Sequence, residues 1–94
     1  MNYFVCTYAY GPAEEQAKFR PDHRAYLGTL VEQGKIAASG PFVTEENPGA
    51  LIIFSVESEQ DVHELVAADP MKIGGAVLNY SVQQWNPVLG TVGA

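Results

Sequence analysis

The sequence predicts a single α+β domain in which four strands and two helices follow one another in the order βαββαβ. Three observations predict it: four short segments rich in β-branched and aromatic residues, two segments with helical periodicity, and turn signals between them. This order folds most simply into a four-stranded antiparallel sheet with both helices on one face, the ferredoxin-like arrangement. A chain of 94 residues holds one hydrophobic core, so we expect one domain over residues 1–94.

The first strand and the first helix are separated by a glycine-proline turn. Residues 2–10 are apolar or aromatic on both faces, which is typical of a strand that is covered on both sides. The firmest helix signal begins at Pro21, a residue type favoured in a first helical turn, and residues 14–19 are left open between helix and loop. Gly34 is expected to end the helix in a left-handed conformation. The helix carries an amphipathic stripe formed by His23, Leu27, Leu30 and Val31.

Two shorter strands follow this helix and are joined by a polar turn. Residues 36–43 predict the second strand, whose Gly40-Pro41 pair favours an edge position or a bulge because proline cannot donate a hydrogen bond to a neighbouring strand. Residues 50–56 predict the third strand, which is again apolar on both faces. Two helices on one face of a sheet cannot cover the other face. We therefore expect a second copy of the chain to cover it, which predicts a homodimer.

The second helix and the last strand complete the order. Ser58 and Asp61 have the spacing of a capping box, which predicts that a helix starts there. Asp69-Pro70 is expected to end this helix, and one further turn should stop at Gly74-Gly75. Residues 76–85 predict the fourth strand, in which Val77 and Asn79 share one face, and residues 87–94 form a glycine-rich tail.

The charge and the cysteine content exclude several classes of function. Eleven acidic residues against five basic ones give a formal net charge of -6, so the basic stripe that nucleic acid requires is missing, and anionic membranes are disfavoured too. The single cysteine, Cys6, excludes an intrachain disulfide and is expected to be an apolar strand residue. It shares no recognised ligand spacing with the histidines, so we expect neither a metal nor a cofactor. No leader or membrane-spanning segment is recognisable, which predicts a cytoplasmic protein.

Two polar residues interrupt the apolar stripes of the helices. His23 occupies the first position of its stripe, and Asp69 lies seven residues after Val62 on the inward side of the second helix. A carboxylate in that position is costly unless it is paired, and the neighbouring helix offers His23 as a partner. A carboxylate favours the protonated imidazole and fixes its tautomer, which is the arrangement of a general acid/base dyad.

A purely structural interpretation of the same residues is open at this point. Asp69 could cap the short helix that begins at Pro70, and His23 could be a satisfied histidine near a helix N-terminus. His63 lies off the buried stripe of the second helix, which favours a position facing solvent. Two further candidates are weaker: Ser39, at the irregularity of its strand, could point into a cleft, and Arg20 could hold an anionic substrate.

Several short motifs, taken together, resemble the YCII-related family. They span nearly all of residues 1–87 and are Arg20-Pro21-Asp22-His23, Leu27, Gly34, Ala38-Ser39-Gly40-Pro41-Phe42, Ala68-Asp69-Pro70 and Gly74-Gly75. The resemblance implies a dimeric α+β barrel, related in shape to muconolactone isomerases and small antibiotic-biosynthesis monooxygenases. It also implies a His–Asp dyad in a cleft at His23 and Asp69, with Ser39, Gly40 and Pro41 as a cleft wall. One activity known in the family is a dehydrochlorinase acting on a chlorinated hydroxyquinone, but fold and dyad do not fix that substrate.

Three functions are compatible with these observations. The first is a cofactor-independent lyase or isomerase acting on a small enolisable or aromatic molecule, in which His23 moves the proton, Asp69 orients the imidazole, and Ser39 or Arg20 holds the substrate. The aromatic residues Tyr8, Phe42 and Trp85 would line its apolar pocket. The second is a non-catalytic module of the same fold that binds a small molecule or another protein. The third is haem binding through a barrel histidine, for which His23 is the single candidate.

Overall fold

The elements of the computed structural model follow the predicted order. The structure describes residues 1–93, and Ala94, the last residue of the predicted tail, lies outside the described residues. The strands are β1 (Asn2–Tyr10), β2 (Ile36–Pro41), β3 (Gly49–Val56) and β4 (Val77–Trp85), and the helices are α1 (Ala13–Glu32), α2 (Glu59–Ala67) and the single turn α3 (Pro70–Ile73). The strands form one antiparallel sheet in the order β2-β3-β1-β4. The ferredoxin-like α+β prediction is confirmed.

The hydrophobic core lies between the helices and one face of the sheet. Alternate residues of β1, from Phe4 to Tyr10, are buried, and the residues between them are half-buried. The helices meet the buried face with Leu27, Leu30, Val62, Val66 and Met71. The opposite face carries Val5, Thr7 and Leu51, which remain half-buried in a single chain. This asymmetry follows from the two-layer arrangement, in which helices on one side leave the other side without a cover.

Helix α1 begins at Ala13, so residues 14–19, which the sequence left open between helix and loop, are helical, and the interpretation of Pro21 as a first-turn residue is wrong. Pro21 lies inside the helix, where it cannot donate the amide hydrogen bond that the Ala17 carbonyl would otherwise accept. Both residues are exposed, so water can satisfy that carbonyl and the helix continues. The predicted end at Gly34 is confirmed. Gly34 has a φ of 76°, its N–H lies 3.0 Å from the Val31 oxygen, and the Lys35 N–H lies 2.9 Å from the Leu30 oxygen, which is a Schellman motif.

The two edge strands carry irregularities that change which side chains face the core. Strand β2 has a register shift between Ile36 and Ala38 and ends at Pro41, two positions before the predicted end. Strand β4 has a bulge opposite Ala9 and Tyr10, and there Val77 is 5% exposed while Leu78 is 65% exposed. The extra residue breaks the alternation, so the predicted grouping of Val77 with Asn79 on one face is wrong.

The segment from α2 to α3 is fixed by two helix caps. The Ser58 hydroxyl accepts from the Asp61 N–H, and the Asp61 carboxylate accepts from the Ser58 N–H, which confirms the predicted capping box. Helix α2 ends at Ala67, and α3 starts directly after Asp69, its N-cap residue. Among the helices of residues 1–93, none has the length and apolar character needed to cross a membrane.

Candidate active site

A buried histidine–carboxylate pair joins α1 to the start of α3. The Nδ1 atom of His23 lies 2.8 Å from Asp69 Oδ1 and 2.9 Å from Asp69 Oδ2. Asp69 is 0% exposed and His23 is 8% exposed. The two polar residues that interrupt the helical stripes therefore meet. The alternative position of His23, near a helix N-terminus, is wrong because the residue lies in the middle of α1.

The carboxylate of Asp69 has two further hydrogen-bond donors. The Tyr8 hydroxyl donates to Oδ2 at 2.8 Å, and the Met71 N–H donates to Oδ1 at 3.0 Å. Asp69 thus caps α3 and binds His23 at the same time. The two interpretations of Asp69 from the sequence, a helix cap and a partner of His23, are therefore both correct. Because an ionised carboxylate only accepts hydrogen bonds, Nδ1 of His23 carries the hydrogen and Nε2 is left for another partner.

Burial, together with the charge of Asp69, keeps the acidic groups around this carboxylate protonated. Burial, and after it the Asp69 charge, raise the pKa of the Cys6 thiol from 9.0 to about 12. The same two causes raise the pKa of Tyr10 from 10.0 to about 12, with Arg20 acting in the opposite direction. Burial, the Asp69 charge and the hydrogen bond to Asp69 raise the pKa of Tyr8 further still. At neutral pH, Tyr8 is therefore a hydrogen-bond donor and Cys6 is not a nucleophile.

These shifts predict that the protein loses stability between about pH 9 and pH 12. Below the usual pKa values of Cys6 and Tyr10, folded and unfolded chains are equally protonated and the stability is fully present. Above them the unfolded chain ionises first, so the free energy of unfolding falls until the buried groups ionise as well. Urea unfolding at about pH 8 and about pH 11 measures this fall. A Cys6→Ala variant should show a smaller fall, and equal falls in both proteins would contradict the assignment to the buried thiol.

His23 forms part of the wall of an open cleft between α1 and β2. The cleft has a volume of about 480 Å³, within the range of small-molecule sites. Five of the residues predicted from the sequence line it: Arg20, His23, Ser39, Gly40 and Pro41. Asp69 does not line the cleft and lies behind His23, fully buried. The fold therefore brings the predicted residues together, with the histidine between the carboxylate and the open space.

The aromatic residues of the site differ from those expected. Tyr8 does not line the cleft, because its ring is buried in the core and its hydroxyl binds Asp69. Phe42 borders a separate depression next to Leu51, and Trp85 lies at the far end of β4, so neither reaches the cleft. Tyr10 lines it instead. The alternation of β1 could have indicated Tyr10, since it shares the face of Tyr8 and lies nearer to the start of α1.

The cleft contains a second arginine that was not singled out in the sequence. Arg24 lies one helical turn after Arg20, and both line the cleft. The Arg20 guanidinium donates to Gln16 Oε1 at 2.9 Å, and Gln16 Nε2 donates to the Gly11 carbonyl at 2.9 Å. Arg20 is thereby tethered to the turn that precedes α1. The spacing of four residues in the sequence was the signal that could have indicated Arg24.

The second histidine is not at this site. His63 is half-buried, with Nδ1 2.7 Å from the Tyr80 hydroxyl and Nε2 3.0 Å from Glu59 Oε2. The expectation that it faces solvent is therefore only partly right. Within residues 1–93, no group of three or more His, Cys, Asp or Glu side chains is arranged to hold a metal ion.

Comparison with known proteins places the chain in a family. The model of the YCII-related domain matches residues 1–86. The chain belongs to the YCII-related family. A search of curated proteins finds no significant match. A solved structure of 5-chloro-2-hydroxyhydroquinone dehydrochlorinase from Burkholderia phenoliruptrix AC1100, in complex with 2,5-dihydroxybenzoquinone, is 25% identical and covers 89% of this chain and 93% of its own, with a TM-score of 0.75.

Two other solved structures share the fold of this YCII-related protein. One is a protein of Arabidopsis thaliana, 16% identical, with a TM-score of 0.54 over 97% of this chain and 99% of its own. The other is an antibiotic biosynthesis monooxygenase, 14% identical, with a TM-score of 0.57 over 95% of this chain and 100% of its own. At these identities the likeness shows the fold alone.

Proposed function

We propose that this YCII-related protein is a cofactor-independent lyase or isomerase in which His23 and Asp69 form an acid/base dyad. The observation that carries the proposal is the position of His23 between a buried carboxylate and an open cleft. Asp69 engages Nδ1, and among the hydrogen bonds of residues 1–93 none involves Nε2. A ring nitrogen with a fixed tautomer and no partner is suited to exchange a proton with a bound molecule.

The chemistry follows from this orientation. Nε2 takes a proton from an acidic C–H or O–H group, the electron pair stays on the substrate as an enolate or phenolate, and the imidazolium that forms is stabilised by Asp69. Returning the proton to a different atom completes an isomerisation. Loss of a leaving-group anion from the same intermediate, followed by release of the proton from Nε2 to solvent, completes an elimination. Ser39 and Arg20 would hold the substrate's oxygen atoms, while Gly40 and Pro41 form the facing wall.

The substrate class is supported by the similarity to the dehydrochlorinase. That protein acts on a chlorinated hydroxyquinol and is seen with a dihydroxybenzoquinone. The cleft of the present chain, about 480 Å³ in volume, is large enough for a single substituted ring. We therefore place its substrates among small hydroxylated rings or other enolisable compounds.

We also propose that two copies of the domain, residues 1–94, pair through the open face of the sheet. The half-buried side chains Val5, Thr7 and Leu51 on this face support the pairing, because a second copy would complete their burial. Sedimentation at twice the chain mass of 10.2 kDa would agree with it, and sedimentation as a monomer would contradict it.

The catalytic proposal is tested by turnover with a panel of hydroxyquinols, including 5-chloro-2-hydroxyhydroquinone, and β-keto acids in D₂O. Proton NMR follows the loss of C–H signals, and chloride release is measured in parallel under anaerobic conditions. We expect the wild type to accelerate at least one of these reactions over buffer. If members of the panel bind but neither exchange nor elimination is accelerated, the protein is a binding module instead.

A further inference from the structure

We infer that the cleft takes a small organic anion, whose charged group lies at Arg20 and Arg24 and whose body lies over Gly28. The inference rests on the proposed function, since it names the class of molecule that the same cleft would hold. Three observations carry it: the sign of the charges around the cleft, the tethering of one arginine, and a glycine in the middle of α1 with open space around it.

The cleft is positively charged in a protein that is negatively charged overall. The chain has eleven acidic residues, five basic residues and a formal net charge of -6. Two of the five basic residues, Arg20 and Arg24, line the cleft, whereas none of the lining residues that the structure describes is acidic. A cleft of opposite sign to the rest of the surface concentrates anions and disfavours cations.

The two arginines and the histidine lie on one face of α1. Arg20, His23 and Arg24 are spaced at i, i+3 and i+4, so their side chains project to the same side of the helix. Arg20 is held by Gln16, whereas Arg24 makes no hydrogen bond or ion pair among the contacts of residues 1–93. An anion bound by both arginines lies beside His23, where the same charges would stabilise an enolate or phenolate.

Gly28 lies one turn further along the same face and provides space. Glycine destabilises a helix interior relative to alanine, so its presence in α1 requires a reason. Gly28 does not have a positive φ, and a Cβ atom added there would have no heavy atom within 4 Å. Backbone geometry and packing therefore do not require glycine. The structure assigns to Gly28 the role of leaving the cleft open between Arg24 and Val31.

The charge preference is tested with three probes of similar shape: benzoate, benzamide and benzylammonium. Each is titrated into the ¹⁵N-labelled protein, and the shifts of the Gly28 and Gly40 amide signals are followed. We expect benzoate to bind about tenfold more tightly than benzamide, and benzylammonium to leave both signals unshifted.

The role of the arginines is tested by substitution. Arg24→Gln should weaken benzoate binding about tenfold. Lys18→Gln, a matched loss of charge on the same helix at a residue paired with Glu15, should leave it unchanged. Equal affinities for benzoate and benzamide, or equal effects of the two substitutions, would overturn the inference.

The role of Gly28 is tested by filling the space. Gly28→Leu should fold with a Tm equal to or above that of the wild type and weaken benzoate binding more than about tenfold, because the new side chain enters the cleft. Gly28→Ala, which is smaller and favours the helix, should raise the Tm with a lesser loss of binding. Wild-type benzoate affinity in both variants would reject the assignment.

The same titrations separate this inference from the proposed function. Titrations with His23→Gln measure binding without the proposed base. If the wild type accelerates no reaction of the panel while the preference for benzoate persists in His23→Gln, the enzyme is rejected and the anion site is kept. If an uncharged substrate is turned over and benzoate binds no more tightly than benzamide, the anion site is rejected and the enzyme is kept.

Discussion

Replacing His23 by glutamine will lower the rate of turnover by roughly 10²–10⁴-fold while the protein remains folded. Glutamine can still donate a hydrogen bond to the buried Asp69, so the polar contact beneath the cleft is preserved in part. It cannot accept and return a proton near neutral pH, because an amide is not a useful base. The effect should appear in kcat, since the substrate would still be held by the arginines on the same helix face.

The matched control for this variant is His63→Gln. His63 also contacts a tyrosine hydroxyl and a carboxylate, but it does not line the cleft. We expect its activity to remain within about twofold of the wild type. A His23→Gln protein as active as His63→Gln would remove His23 from the mechanism.

Replacing Asp69 by alanine will lower the free energy of unfolding by about 3–5 kcal/mol. The substitution leaves three buried donors without an acceptor, namely the Tyr8 hydroxyl, the Nδ1–H of His23 and the Met71 N–H. It also removes the N-cap of α3. Turnover should be lost as well, since the imidazole is no longer oriented. Urea unfolding measures the stability.

A graded series separates the contributions within this network. Asp69→Asn keeps one carbonyl acceptor and should be less destabilising than Asp69→Ala. Tyr8→Phe removes a single donor and should cost about 1–2 kcal/mol. Asp22→Ala, at an exposed position of α1, serves as the control and should change stability by less than about 0.5 kcal/mol. An Asp69→Ala protein as stable as Asp22→Ala would contradict the buried network described above.

The double role of Asp69 explains why this carboxylate can orient a histidine. One oxygen is held by the Met71 N–H and the other by the Tyr8 hydroxyl, and both lie within 2.9 Å of His23 Nδ1. The hydrogen bonds from Met71 and Tyr8 therefore fix the carboxylate plane independently of the imidazole. Capping a single turn of helix and positioning the imidazole are two consequences of one arrangement.

The pairing of His23 with Asp69 could be predicted because both residues break an apolar stripe, and a buried charge has few ways to be satisfied. The start of α1 could not be predicted in this way. Pro21 carries a strong local signal for a first helical turn, whereas the first turns of α1 are anchored by a tertiary contact, the packing of Phe19 against the core and Gly74. Local propensity was overridden by packing that the sequence pattern does not display.

The positions of Tyr8 and Val77 show the same limit within the sheet. Alternation along β1 groups Tyr8 with the buried Phe4 and Cys6, but nothing local distinguishes a core tyrosine from one that binds a carboxylate 61 positions away. Val77 was assigned to the wrong face because the bulge in β4 is set by pairing with β1. Strand periodicity predicts faces only as long as the register is unbroken.

The central claim is that Asp69 holds His23 by Nδ1 and leaves Nε2 to the cleft, and imidazole ¹⁵N NMR tests it most directly. In the neutral ring, we predict that Nδ1 carries the hydrogen, that Nε2 is unprotonated, and that the Nε2 signal shifts when 2,5-dihydroxybenzoquinone is added. A neutral ring protonated on Nε2, or an Nε2 signal that does not respond to the ligand, would contradict the account.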